Sequence, residues 1–143
     1  MSTDAVPLER LEQDYGELIA ERLAQAELII SSDLTLIECD RVLLRAVTLN
    51  ELEESDAAHR QARFNAVAAR WTLLSLDEEI VERARRRFPA EPIRALDAIH
   101  LASAVVARKA VPDLAVLTLD RRMRTAADVL GFSLLPTDAE LGL

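Results

Sequence analysis

Apolar and polar positions fall in blocks along this chain, and the blocks change period. From Glu12 to Ala26, Tyr15, Leu18, Ile19 and Leu23 recur at helical spacing. Leu28-Ile29-Ile30 is a short unbroken apolar run, as in a buried strand. Ser31, Ser32 or Asp33 can cap the next helix, which runs to about Val47 and is apolar on most of its sides. A further helix is predicted from Ser55-Asp56 through Ala69, a strand from Trp71 to Leu76, and a helix capped by Asp77 that runs through Arg87. Pro89 and Pro92 break the chain into a loop. The helix around Asp97 extends to about Lys109, and Leu114 to Leu119 is the clearest buried strand. Met123 to Leu130 reads as a helix that Gly131 can stop, and Phe132 to Leu135 as a last short strand before Pro136.

Apolar strands alternating with helices predict an α/β fold with a short parallel sheet flanked by helices. In such sheets, sites form beyond the carboxyl ends of strands. Three carboxylates stand out against this pattern. Asp120 ends an apolar run, Glu38 lies about two turns into the helix after another, and Asp97 opens an otherwise apolar helix. An acid at such a place is costly without a partner. Three of them in one cleft would repel and raise one another's pKa, unless a divalent cation lies between them. The pattern therefore predicts that Glu38, Asp97 and Asp120 converge on a Mg²⁺ or Mn²⁺ site.

Each acid also has a simpler reading. Asp97 can complement the helix dipole or pair with Arg94. Glu38 has Arg41 and Arg45 three and seven residues on, as in a surface ion pair. Asp120 can be an N-cap. Thr118, between Leu117 and Leu119, can hold a carboxylate or a water through its hydroxyl. His100 reads as a structural histidine, because no second histidine stands at metal spacing, and His59, on a polar helix, as solvated. Cys39 is alone in an apolar run and reads as an inert thiol; Asp40, on another face from Glu38, reads as structural. There is no glycine-rich phosphate loop and no Gly-x-Ser-x-Gly elbow.

Composition narrows the class. A chain of 143 residues, 50% apolar and 3% aromatic, predicts one domain with an aliphatic core. No targeting h-region or membrane-length apolar stretch is seen, which predicts a cytoplasmic protein. A net charge of −8 argues against nonspecific nucleic-acid binding, but the charge is uneven. Residues 1–56 hold 14 acids and 4 arginines, whereas residues 57–143 hold 11 acids and 13 Lys or Arg. Arg83, Arg85, Arg86 and Arg87 read as a solvated helix face. Arg121, Arg122 and Arg124 directly follow Asp120 and suit phosphate contact.

Taken in order, three segments resemble the PIN-domain ribonucleases of the VapC toxin type: Ser32-Asp33-Leu34-Thr35-Leu36-Ile37-Glu38-Cys39, Arg94-Ala95-Leu96-Asp97-Ala98-Ile99-His100-Leu101-Ala102-Ser103-Ala104, and Leu117-Thr118-Leu119-Asp120-Arg121-Arg122-Met123. Ala127 and Leu130-Gly131-Phe132 extend the likeness, which covers about Ala26 to Pro136. The resemblance implies a PIN-like three-layer sandwich that cleaves RNA with acids holding one or two Mg²⁺ or Mn²⁺ ions. It assigns Glu38, Asp97 and Asp120 to three of the usual four acidic positions, and Thr118 to a supporting hydroxyl. The family's opening strand and first acid have no clear counterpart. Thr3-Asp4-Ala5-Val6 resembles the family's residues just after that acid, and Asp4 is the nearest substitute, two places off.

The implied role is the toxin of a type II toxin–antitoxin pair, with RNA as substrate, a cognate antitoxin as partner and a homodimer left open. A different-class alternative is a noncatalytic PIN-like protein that only binds a partner such as an antitoxin. A receiver-like phosphoacceptor is weaker: it needs paired acids near the start and a strand-end lysine, and Lys109 is the only lysine.

Overall fold

The computed structural model describes residues 16–143. Among them the chain forms six helices and four three-residue strands: α1 Gly16–Gln25, β1 Ile30–Ser32, α2 Asp33–Thr48, α3 Glu54–Ala68, β2 Thr72–Leu74, α4 Glu78–Ala84, α5 Ala95–Arg108, β3 Ala115–Leu117, α6 Arg121–Val129 and β4 Ser133–Leu135. The predicted α/β alternation is present, and both strand pairings are parallel. Asp4, with the predicted helix start at Glu12, lies outside the described residues. The chain divides into a smaller unit, Glu27–Leu76, and a larger one that includes residues 16–26 and Asp77–Leu143.

In the larger unit, β3 and β4 pair from Ala115↔Ser133 to Leu117↔Leu135. Helix α5 packs on α4 and α6, and α6 on β4. Their apolar faces meet at Ile80, Leu101, Ala102, Ala127 and Phe132, all at most 4% exposed. Burying a side chain such as Leu101 stabilises by roughly 1.5–3 kcal/mol. Two arginines finish helix ends against this core. The Arg108 guanidinium lies 4.0 Å from the Phe132 ring centre and donates to the Leu130 carbonyl at 2.7 Å. There α6 closes in a Schellman turn: Gly131 adopts φ +87°, its N–H donates to the Asp128 carbonyl and that of Phe132 to the Ala127 carbonyl.

Helix α4 ends at Ala84, one turn before the predicted end at Arg87. Its cap at Asp77 is as predicted, with the carboxylate accepting from the Ile80 N–H at 3.0 Å. The early stop has a visible cause. Arg83 folds over the Phe88 ring, 4.1 Å from its centre, and donates to the carbonyls of Arg86 and Arg87. Those carbonyls are thereby satisfied outside the helix. Arg85, Arg86 and Arg87 consequently do not lie on a helix face, contrary to the expectation for this cluster.

In the smaller unit, β1 and β2 pair from Ile30↔Thr72 to Ser32↔Leu74, and α2 packs on α3 and β1. The strand sits two residues beyond the predicted Leu28–Ile30 run, because its ladder starts where the Ile29 carbonyl accepts from the Thr72 N–H. Helix α2 is apolar on most of its sides, a pattern that predicts burial, yet none of its residues is buried. Its main packing partners within the unit are one helix and one short strand, which leave its apolar positions partly uncovered. Ser32 stands at its N-cap without a side-chain cap bond, and its buried hydroxyl has no partner among the described residues.

Candidate active site

Asp120 leaves the carboxyl end of β3 and starts α6. Its carboxylate accepts from the backbone N–H groups of Arg122, at 2.9 Å, and Met123, at 3.2 Å. The N-cap reading of this residue is thus correct, and it fixes one carboxylate oxygen, Oδ1, in space. Thr118 supports the turn from behind: its hydroxyl accepts from the Asp120 N–H at 3.1 Å. That hydroxyl therefore holds the backbone of the acid.

Arg124, grouped by sequence with the phosphate-contacting arginines, is 4% exposed. Its guanidinium donates to the Thr118 carbonyl at 2.9 Å, the Pro136 carbonyl at 2.7 Å and the Asp138 carboxylate at 2.8 Å. It ties the ends of β3 and β4 together directly beside Asp120. The signal was its place three residues before Ala127, on the buried face of α6. Arg121 and Arg122, on the other face, are exposed as expected.

Asp97 occupies the first turn of α5, where the helix dipole favours an anion. It is half-buried and lines a cleft of about 460 Å³. One wall of the cleft is the loop Glu91-Pro92-Ile93-Arg94; another is the first turn of α6, through Arg121, Arg122 and Met123. Asp97 and the helix end capped by Asp120 therefore border one cleft. The loop reaches it with a cis bond at Glu91-Pro92.

Glu38 is half-buried on α2, in the smaller unit. Its neighbour Asp40 accepts from the Gln61 amide at 3.1 Å, which ties α2 to α3 and fits a structural role. Burial, and then the charges of Glu38 and Asp40, push the Cys39 thiol above its ordinary pKa and keep it protonated. A protonated thiol is a poor nucleophile, which accords with reading Cys39 as an inert thiol, although it is half-buried rather than buried. His100 is half-buried and partnered on α5, and His59 is exposed on α3.

Among the described residues, no group of three or more His, Cys, Asp or Glu side chains is close enough to hold a metal ion. Asp97 lines the cleft and Asp120 caps the helix end that borders it; Mg²⁺ commonly takes one or two carboxylates from a protein and completes its octahedron with water and substrate phosphate. The donor set is hard oxygen. Both cap bonds of Asp120 go to Oδ1, so capping leaves its second carboxylate oxygen to other partners. Among the described residues no helix is long and apolar enough to cross a membrane.

A parallel-stranded α/β fold with acids at a strand end and at a helix start defines a class, and the sequence places the chain in it. The PIN domain family matches residues 7–129, and the chain belongs to that family. Among its relatives is Ribonuclease VapC35 of Mycobacterium tuberculosis strain CDC 1551 / Oshkosh, 32% identical over 102 residues, which cover 67% of this chain and 76% of the relative. The protein of the same name in strain ATCC 25618 / H37Rv is equally similar over the same shares. No solved structure matches significantly.

Proposed function

We propose that this chain is a Mg²⁺- or Mn²⁺-dependent endoribonuclease, and the toxin of a type II toxin–antitoxin pair in the cytoplasm. The observation that carries the reading is the Asp97 cleft, bordered by the helix end that Asp120 caps, in a chain of the PIN domain family. Kinship with proteins named Ribonuclease VapC35 supplies the substrate class. Asp97 and Asp120 would hold the cation, and Glu38 is the third candidate ligand on the order of the family motifs. When bound, the cation would lower the pKa of a water and offset charge on the phosphodiester. Thr118 keeps the Asp120 backbone in place, and Arg121 and Arg122 offer exposed positive charge to the phosphates beside the cleft. The acidic amino-terminal part of the chain, with 14 acids against 4 arginines over residues 1–56, suits a basic antitoxin segment.

The test is RNA cleavage by the purified chain in millimolar Mg²⁺ or Mn²⁺. Activity is expected to be low and to vanish with EDTA. Asp97→Asn should lower it at least about 100-fold, or about 2.7 kcal/mol in barrier, and should weaken Mn²⁺ binding in calorimetry. Equal cleavage with EDTA, or by the Asp97→Asn chain, would refute the metal mechanism. No cleavage of any RNA in a broad screen would favour the noncatalytic, partner-binding protein. Co-expression with the adjacent small gene product tests the pairing, and the absence of a complex even at low salt would count against it.

A further inference from the structure

Two basic clusters that lie more than thirty residues apart in sequence meet on one surface of the larger unit. A second cleft, of about 560 Å³, is lined by Arg85, Arg86 and Arg87 and shares Glu91, Pro92 and Ile93 with the Asp97 cleft. The loop Glu91–Ile93 is therefore a common wall. Beyond it on one side stand Asp97, Arg121 and Arg122; on the other stand the three consecutive arginines.

Three observations set Arg85–Arg87 apart from an ordinary solvated run. They lie past the end of α4, on a segment whose carbonyls at Arg86 and Arg87 accept from Arg83, so their backbone is held in place. All three side chains are exposed, and none forms an ion pair with a described residue; the same is true of Arg121 and Arg122. Nearby arginines that serve the fold are instead committed: Arg83 and Arg108 to rings and carbonyls, Arg124 to carbonyls and Asp138. The one acid in the shared wall is Glu91, whose carboxylate accepts from the Phe88 N–H at 3.5 Å. In a chain of net charge −8, five uncommitted guanidinium groups around two adjoining clefts are a local reversal of sign. Such a surface complements a polyanion with regularly spaced phosphates.

The geometry points to the Arg85–Arg87 cleft as a seat for the sugar–phosphate backbone of RNA. The strand would cross the Glu91–Ile93 wall from the phosphate at Asp97. This rests on the ribonuclease reading for the position of that phosphate, and it makes Arg85, Arg86 and Arg87 substrate-positioning residues.

The probe is a fluorescein-labelled single-stranded RNA with 2′-O-methyl riboses, titrated with the full chain in EDTA across a salt series and read by anisotropy. R85Q/R86Q/R87Q should weaken binding at least tenfold. It should also flatten the plot of log K against log salt by about 2, at about 0.7 per lost contact on a single strand. R85K/R86K/R87K keeps the charges and should keep most of the slope. R45Q/R63Q/R70Q removes equal charge from exposed positions of the smaller unit and should stay within twofold of wild type. In cleavage assays the glutamine triple variant should raise KM more than it lowers kcat. The inference is overturned if that variant binds with wild-type affinity and slope, if the control loses as much, or if polyglutamate competes as well as RNA at equal charge. Wild-type cleavage with an unaffected triple variant would sink the seat and leave the ribonuclease standing. Arginine-dependent RNA binding by a chain that never cleaves would do the reverse.

Discussion

Leu101 and Leu44 are both leucines on long helices, but Leu101 is 1% exposed and Leu44 55%. The contrast runs through the two units. The larger one buries Ile80, Phe88, Leu101, Ala102, Ala127 and Phe132, whereas the smaller one buries only Ala57, Ala68 and Ser32. Ile37, Val42, Leu44, Leu49 and Val67 of the smaller unit are all more than 40% exposed. Two helices and two three-residue strands are too few layers to close over their own apolar positions. The three candidate acids differ along the same line. Asp97 and Asp120 stand on a scaffold with its own core and capped helix ends, whereas Glu38 stands on a helix with no buried residue.

The strongest way to break this comparison is truncation at the two leucines. Leu101→Ala should cost about 2–5 kcal/mol, because a side chain only 1% exposed is removed from the core. Leu44→Ala should stay within about 0.5 kcal/mol, as expected of an exposed position. Urea unfolding of both variants measures the difference. Equal losses would mean that Leu44 is covered in solution and that the smaller unit has a core of its own.

Arg124→Met comes next, at about 2–3 kcal/mol. The loss would come from the carbonyls of Thr118 and Pro136, each left without the donor it has now. Asp138, exposed at 66%, can return to water and adds little. Since the Thr118 carbonyl belongs to the turn that presents Asp120, Mn²⁺ affinity should fall together with stability. A loss of stability with unchanged Mn²⁺ binding would separate the buried arginine from the site.

The alternation of elements was legible because each strand lies in or beside a short apolar run and several helices have a cap or a stop, such as Asp77, Asp120 and Gly131. Asp97 and Asp120 were legible for the same reason: an acid at the edge of an apolar segment stands out. What pattern could not supply was which side of a helix is covered. Helix α2 is apolar on most sides, yet it finds few neighbours within its unit. Arg124 is charged, yet it lies inside, because three acceptors converge on it. The place of Arg85–Arg87 was hidden too. It depends on Arg83 folding back to end α4, a tertiary contact with Phe88 that spacing does not reveal.

Asp120 has two duties that substitution can pull apart. Asp120→Ala should cost about 1 kcal/mol through the lost cap, whereas Asn caps about as well as Asp. Asp120→Asn should therefore fold with nearly wild-type stability and still lose Mn²⁺ binding, since it removes the charge and spares the acceptor of the Arg122 and Met123 N–H bonds. If Asp120→Asn bound Mn²⁺ like wild type, Asp120 would be a cap and nothing more.

The smallest effect expected is at the carboxyl-terminal edge of the larger unit, where Glu140 joins α1. Its carboxylate meets Arg22 at 2.5 Å and accepts from the N–H and hydroxyl of Thr137. The Thr137 hydroxyl accepts in turn from the Glu140 N–H, giving the reciprocal pattern of a capping box. Chiefly through the Arg22 bond, and then the Thr137 bonds, the Glu140 pKa is held down to about 2. In the unfolded chain a glutamate titrates near about 4.3. The folded value is the lower one, so the contribution to stability is complete above about pH 4.3 and is lost as pH falls toward 2. Glu140→Gln keeps an acceptor for Thr137 but removes the charge that Arg22 meets. The melting temperatures of wild type and Glu140→Gln should differ slightly at pH 6, with wild type higher, and converge as pH falls through that window. A gap that persists unchanged to pH 2 would show that the Arg22 contact is not electrostatic and that this edge of the larger unit is held by packing, like the rest of its core.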